Sequence, residues 1–125
     1  MQPKNSKNSS LTVSQLNKQA KGLLEGHFDY LWVEGEISNL AQPSSGHWYF
    51  SLKDSEAQVR CAMFRNRNQL TKIKPENGQQ VRIRCRVSLY EGRGDFQLIL
   101  EFMEAAGAGA LQAAFEKLRN RLAHE

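Results

Sequence analysis

The sequence predicts a mainly β protein: a five-stranded barrel with an N-terminal helix, a short helix between strands 3 and 4, and a C-terminal helix. Three observations predict it. Five short segments alternate apolar and polar residues, as strands do when they bury one face and solvate the other. The breaks between them are short and rich in Gly, Pro, Asn, Asp and Ser, the residues that turns require. A chain of 125 residues also suits one compact core.

Residues 1–10 are polar, with Lys4, Lys7 and several Ser and Asn, and read as a disordered leader. A helix follows over 11–26. Leu16, Ala20, Leu23 and Leu24 recur at helical spacing, Thr12 or Ser14 offers an N-cap, and Gly26 marks the end. The barrel region spans 27–105. In its first strand Leu31, Val33, Gly35 and Ile37 share one face, and Trp32, Glu34, Glu36 and Ser38 the other. A loop covers 39–46. The second strand, 47–53, turns Trp48, Phe50 and Leu52 inward and His47, Tyr49, Ser51 and Lys53 outward. After a turn at 54–57, the third strand points Val59, Cys61 and Met63 inward and Arg60, Ala62 and Phe64 outward.

Residues 65–74 break the alternation and form a short helix that ends at Pro75. The fourth strand, 81–90, has the cleanest pattern: Val81, Ile83, Cys85, Val87 and Leu89 oppose Arg82, Arg84, Arg86 and Tyr90. A hairpin loop at 91–94 leads to a fifth strand with Phe96, Leu98, Leu100 and Phe102 inward, and Ile99 and Met103 outward. Small residues over 105–110 make a hinge, and 106–125 holds this hinge and the start of a helix striped by Leu111, Phe115, Leu118 and Leu122. Three strands, a short helix and two strands is the order of an OB-fold, a Greek-key barrel. Such barrels bind oligonucleotides on strands 2–3 and at the loops between strands 1–2 and 4–5.

Charge agrees with that reading. The net charge is only +4. Over 58–93, however, seven Arg and two Lys face only Glu76 and Glu91, leaving +7, while 31–57 carries Lys53 against four acidic residues, leaving −3. Clustered cations favour a phosphate backbone through counterion release, although a solvated strand face has the same composition. Cys61 and Cys85 fall on core faces without metal-binding spacing and read as buried free thiols. No signal peptide and no apolar run of membrane-spanning length is present, so a cytoplasmic location without membrane association is expected.

Tyr49 is the prime base-stacking candidate, flanked outward by His47, Ser51 and Lys53. Trp32 and Phe64 share the outward parity, and either stack bases or pack against the flanking helices. Lys53, Arg60, Arg65, Arg67 and Arg93 are the phosphate candidates, with Arg93 at the tip of the 4–5 hairpin. Arg82, Arg84 and Arg86 lie off the usual groove and have Glu34, Glu36 and Glu101 as alternative partners. Glu34, Glu36, Asp54 and His47 are the one conceivable metal set, but outward glutamates on a strand equally well pair with arginines. No metalloprotease motif, triad or phosphate-cradling glycine loop occurs. No catalytic residue, metal or cofactor is expected in this chain.

Four stretches resemble the amino-terminal region of the exonuclease VII (exodeoxyribonuclease VII) large-subunit family: Leu11-Thr-Val-Ser-Gln-Leu-Asn17, Trp32-Val-Glu-Gly-Glu-Ile-Ser-Asn39, Ser45-Gly-His-Trp-Tyr-Phe-Ser-Leu-Lys-Asp54, and 90–97. Lys117-Leu-Arg-Asn-Arg-Leu122 is similar to the segment leading into that family's catalytic region. The resemblance implies an OB-fold that grips single-stranded DNA for a metal-independent exonuclease, which degrades single strands to acid-soluble oligonucleotides and works with a small helical subunit. It places the catalytic residues in a later region that this chain lacks. Two rivals remain: a docking module that organises the catalytic region and small subunits through outward Ile99 and Met103 and the last helix, and an RNA-binding OB domain.

Overall fold

In the computed structural model, which describes residues 9–106, the elements are α1 (Val13–His27), β1 (Leu31–Ala41), β2 (Trp48–Lys53), β3 (Gln58–Met63), α2 (Arg65–Asn68), β4 (Gln80–Tyr90) and β5 (Asp95–Ala105). The strands close into a barrel in the order β1-β2-β3-β5-β4. Every neighbouring pair is antiparallel except β3 with β5. This is the OB-fold topology that the strand order predicts. The expected C-terminal helix and its leucine stripe lie outside the described residues.

The alternation of each strand builds the core. Ile37, Phe50, Met63, Ile83, Leu100 and Met103 meet inside with essentially no solvent exposure. Gly35 stands on the inward side of β1, where β2 crosses closely: a Cβ there would lie 2.8 Å from Leu52 Cγ and 2.9 Å from the Lys53 carbonyl oxygen. The turn from β2 to β3 is held by Asp54, whose carboxylate accepts the Glu56 and Ala57 N–H groups at 2.8 and 2.9 Å. Those bonds favour the charged form and hold its pKa below the usual carboxylate value.

Two bulges depart from simple period-two reading. In β1, strand pairing continues past Ser38 to Ala41 and shortens the expected 39–46 loop. The register shifts between those residues, and Asn39 takes up the left-handed region at φ 53°. Leu40 is thereby packed against the core, with its N–H donated to Asn77 Oδ1 at 3.0 Å. In β5, Arg84 pairs with Phe102 but Cys85 with Leu100, so Glu101 is an extra residue and parity reverses beyond it. Met103, expected outside, is 1% exposed; Phe102, expected inside, is 39% exposed. Phe96, also expected inside, sits at the hairpin end opposite Leu89, beyond the core cluster, and is half exposed.

The helices are also adjusted. Thr12 caps α1 in a reciprocal capping box with Gln15, and Gly26 does not end the helix, which runs one residue further to His27. The expected helix over 65–74 is only Arg65–Asn68. The Asn68 side chain turns back to the carbonyls of Gly46 and Met63 at 2.7 and 3.2 Å, and Thr71 Oγ1 donates to the Met103 carbonyl at 2.9 Å. These tertiary bonds hold the chain against the barrel where a longer helix would lift it away.

Both cysteines are buried free thiols. Burial pushes the Cys85 thiol up to about 11 and raises Cys61 further still, with Cys85 adding to that rise. Both therefore stay protonated and unreactive near neutral pH.

Gly35→Ala should destabilise the domain by about 1–3 kcal/mol, because the new methyl meets backbone as well as side chain. Urea denaturation measures it as a lower midpoint at an unchanged slope.

Candidate nucleic-acid interface

The outer face of β2 and β3 follows from their register. Ser51 pairs with Arg60 and Tyr49 with Ala62, while β5 brings Gln97 beside Arg60 and Ile99 beside Ala62. Arg60 Nη1 donates to Ser51 Oγ at 3.3 Å, which lays the guanidinium over the serine and buries it. The small Ala62 opposite Tyr49 puts no bulky side chain beside its ring.

A row of rings continues from Tyr49. The His47 ring meets Tyr49 and Phe64 edge-on, with centroids 6.4 and 5.3 Å away. Its Nδ1 accepts the Arg65 N–H at 3.0 Å, so Nε2 carries the proton of the neutral ring. Gly46, at φ +91°, permits this junction: a Cβ there would lie 2.9 Å from Arg65 Cδ. His47, Tyr49, Arg60, Phe64 and Arg65 thus form one contiguous surface, with Ser51 buried beneath Arg60.

The β4–β5 hairpin supplies the opposite wall. Tyr49, Arg60, Tyr90, Arg93, Asp95 and Phe96 line an open groove of about 830 Å³. Gly94, at φ +70°, closes the turn, and its N–H donates to the Tyr90 carbonyl at 2.7 Å. Arg93 stands in the groove with its side chain 76% exposed and only a loose 4.0 Å approach to Asp95. Tyr90 and Phe96 are groove residues that sequence reasoning missed. Tyr90 carried the signal, being an outward aromatic next to a hairpin. Phe96 carried none, because its parity is that of the core.

Of the sequence candidates, Tyr49, Arg60 and Arg93 line the groove, and His47, Phe64 and Arg65 adjoin it through the row of rings. Ser51 is buried, and Lys53, Arg67 and Trp32 sit apart from the groove. Lys53, at the far end of β2, approaches Glu36 at 3.9 Å beside Glu34 and Asp54. Arg67 lines a smaller cleft of about 220 Å³ with Tyr30, Phe64 and Arg86. Trp32 belongs to the β1–β4–β5 side of the barrel. There Arg82 lies over its ring at 3.9 Å, and Phe102 meets it edge-on at 6.1 Å. Parity puts Trp32 and Tyr49 both outside, but the barrel's curvature sends them to different flanks.

The same flank accounts for the arginines of β4. Arg82 pairs with Glu104 at 2.7 Å, Arg84 with Glu101 at 2.9 Å, and Arg86 approaches Glu25 of α1 at 3.7 Å. Each is therefore neutralised locally. Among the described residues Arg60, Arg65 and Arg67 form no ion pair. No group of three or more His, Cys, Asp or Glu is arranged to hold a metal ion among the described residues, and no helix there is long and apolar enough to cross a membrane.

A closed OB barrel with an aromatic and cationic groove at strands 2–3 and the 4–5 hairpin defines a class of nucleic-acid-binding domain. The family model described as "OB-fold nucleic acid binding domain" matches residues 11–104, and the chain belongs to that family. It is 59% identical over 120 residues to the exodeoxyribonuclease 7 large subunit of Hahella chejuensis, covering 96% of this chain and 27% of that one. It is 60% identical over 114 residues to the exodeoxyribonuclease 7 large subunit of Thioalkalivibrio sulfidiphilus, covering 91% and 26%. The chain spans about a quarter of the length of these curated relatives. In solved structures the fold is similar to a chain of a replication protein A heterotrimer bound to ssDNA, with TM-score 0.51 and 13% identity over 63% of this chain and 58% of that one. A putative aspartyl-tRNA synthetase from Leishmania major matches with TM-score 0.50 and 13% identity, over 78% and 20%.

Because Arg84 is ion-paired, Arg84→Ala should leave the salt dependence of nucleic-acid binding unchanged. Arg60→Ala and Arg93→Ala should each make the slope of log K against log[salt] shallower by about 0.7. Binding isotherms over a range of salt concentrations separate the two outcomes.

Proposed function

We propose that this chain is the single-stranded DNA-binding domain of an exodeoxyribonuclease VII large subunit. The observation that carries the reading is the groove in which Tyr49, Tyr90 and Phe96 stand beside Arg60 and Arg93. Exposed rings accept the flat face of any base, and neighbouring guanidiniums meet the phosphates between them. Duplex DNA keeps its bases stacked inside and offers this groove only its backbone. The geometry therefore favours a single strand.

Tyr49 stacks a base, His47 adds a polar contact, Ser51 is buried and serves only to orient Arg60, and Phe64 extends the stacking row. Arg60, Arg65 and Arg93 contact phosphates, Arg67 extends the path beyond Phe64, and Lys53 is held off it beside Glu36. Four such contacts give a slope of about −3 for log K against log[salt]. Trp32 lies off this path, on the ion-paired flank.

The intact protein, by the likeness to its longer relatives, hydrolyses single-stranded DNA to oligonucleotides together with a small subunit, and the catalytic residues are supplied outside this chain. In this reading the domain captures the strand and presents it for cutting. A reducing cytoplasm is the matching compartment, since both thiols are free.

A docking role has one observation in its favour. Val13, Leu16 and Leu23 of α1 turn their apolar side chains to solvent. Met103 is withdrawn from that role by its burial.

Fluorescence anisotropy with labelled oligo-dT, competed by duplex DNA and by RNA, tests the proposal. Salt-sensitive binding that prefers single-stranded DNA is expected, and Tyr49→Ala should weaken it by about 1–3 kcal/mol. Binding that Tyr49→Ala leaves intact points to another surface, stronger competition by RNA points to an RNA-binding domain, and no binding at low salt points to docking.

A further inference from the structure

Helix α1 is attached to the barrel in an unexpected way. Surface helices ordinarily dock through their apolar stripe, yet in α1 only Leu24 packs, half-buried, against the core, no residue is fully buried, and Val13, Leu16 and Leu23 face solvent. Its polar attachment is a seam of three residues on successive turns, Asn17, Lys21 and Glu25, spaced i, i+4, i+8 on one face. Glu25 accepts the Ser88 hydroxyl at 2.7 Å. The other two reach the hairpin itself: Asn17 Nδ2 donates to the Glu91 carbonyl at 2.9 Å, and Lys21 Nζ lies 3.2 Å from Glu91 Oε2.

Glu91 opens the turn that carries Arg93, between the groove residues Tyr90 and Asp95. The contact is close on the far side of the turn as well: a Cβ on Gly94 would lie 3.2 Å from Asn17 Nδ2. A hairpin tip held only by its own turn samples many orientations, and a ligand must then freeze one of them on binding. Here two side chains from a helix, 74 and 70 positions before Glu91 in the chain, hold the tip before any ligand arrives.

We propose that Asn17 and Lys21 are positioning residues of the nucleic-acid groove, and that α1 acts as a brace which pre-orients the β4–β5 hairpin for binding. The inference rests on the single-strand-binding reading above. It assigns to α1 a part in affinity that its lack of contact with the groove would not suggest.

The test uses this chain with Asn17→Ala and Lys21→Ala combined, oligo-dT as the probe, and amide hydrogen exchange as a second readout. Faster exchange at Glu91–Gly94 is expected, with β1–β3 amides unchanged and affinity lowered about threefold to tenfold, the scale of one or two lost hydrogen bonds. Added to Tyr90→Ala and Arg93→Ala, the same pair should cost no further affinity, because its effect passes through the hairpin. The charge exchange Lys21→Glu with Glu91→Lys should recover the part of the affinity lost in Lys21→Glu alone. Unchanged affinity despite faster hairpin exchange overturns the brace, as does an equal loss in the Tyr90→Ala, Arg93→Ala background. If the unaltered chain binds no oligo-dT, the nucleic-acid reading itself fails and takes the brace with it.

Discussion

The pairing of β4 with β5 is the constraint on which the rest of the structure depends. These two strands of eleven residues each run antiparallel from Val81 opposite Ala105 to Tyr90 opposite Asp95. One end of the ribbon closes the barrel against β1, and the other projects the hairpin beside the groove. The bulge at Glu101 sets the outer face. It turns Met103 into the core, leaves Glu101 and Phe102 outside together, and so aligns two glutamates with Arg84 and Arg82.

That alignment divides the surface by charge. Guanidiniums held against carboxylates contribute little stability at an exposed site, on the order of 0–1 kcal/mol each. Their greater consequence is the absence of a net field on that flank. Arg82 also lies over Trp32, so the ring is covered on one face. On the opposite flank Arg60 is oriented by a neutral serine and Arg93 by a turn, and both keep charge available to a polyanion. One basic sequence segment thus yields one neutral face and one cationic face.

Much of this was legible in the sequence. Period-two alternation identified the inward residues of β2, β3 and β4, and the order of elements identified the barrel. The outward placement of Tyr49, Arg60 and Arg93 along the groove followed from the same parity and from turn chemistry. What stayed hidden was non-local. Parity separates inside from outside but not one side of a closed barrel from the other, and Trp32 was therefore grouped with Tyr49. An extra residue such as Glu101 has no composition of its own, so Phe102 and Met103 were exchanged. The seam from Asn17 to Glu91 joins residues far apart in sequence, and only the folded chain brings them together.

The central claim is that nucleic acid binds the cationic face at the hairpin groove and not the flank of ion-paired β4 arginines. Amide chemical-shift mapping of this domain during titration with an oligo-dT decides it most directly. Shifts are predicted at His47, Tyr49, Ser51, Arg60 and the segment from Tyr90 to Gln97, with Trp32, Arg82, Arg84 and Phe102 unmoved. Shifts concentrated on that second set, with the groove silent, would contradict it.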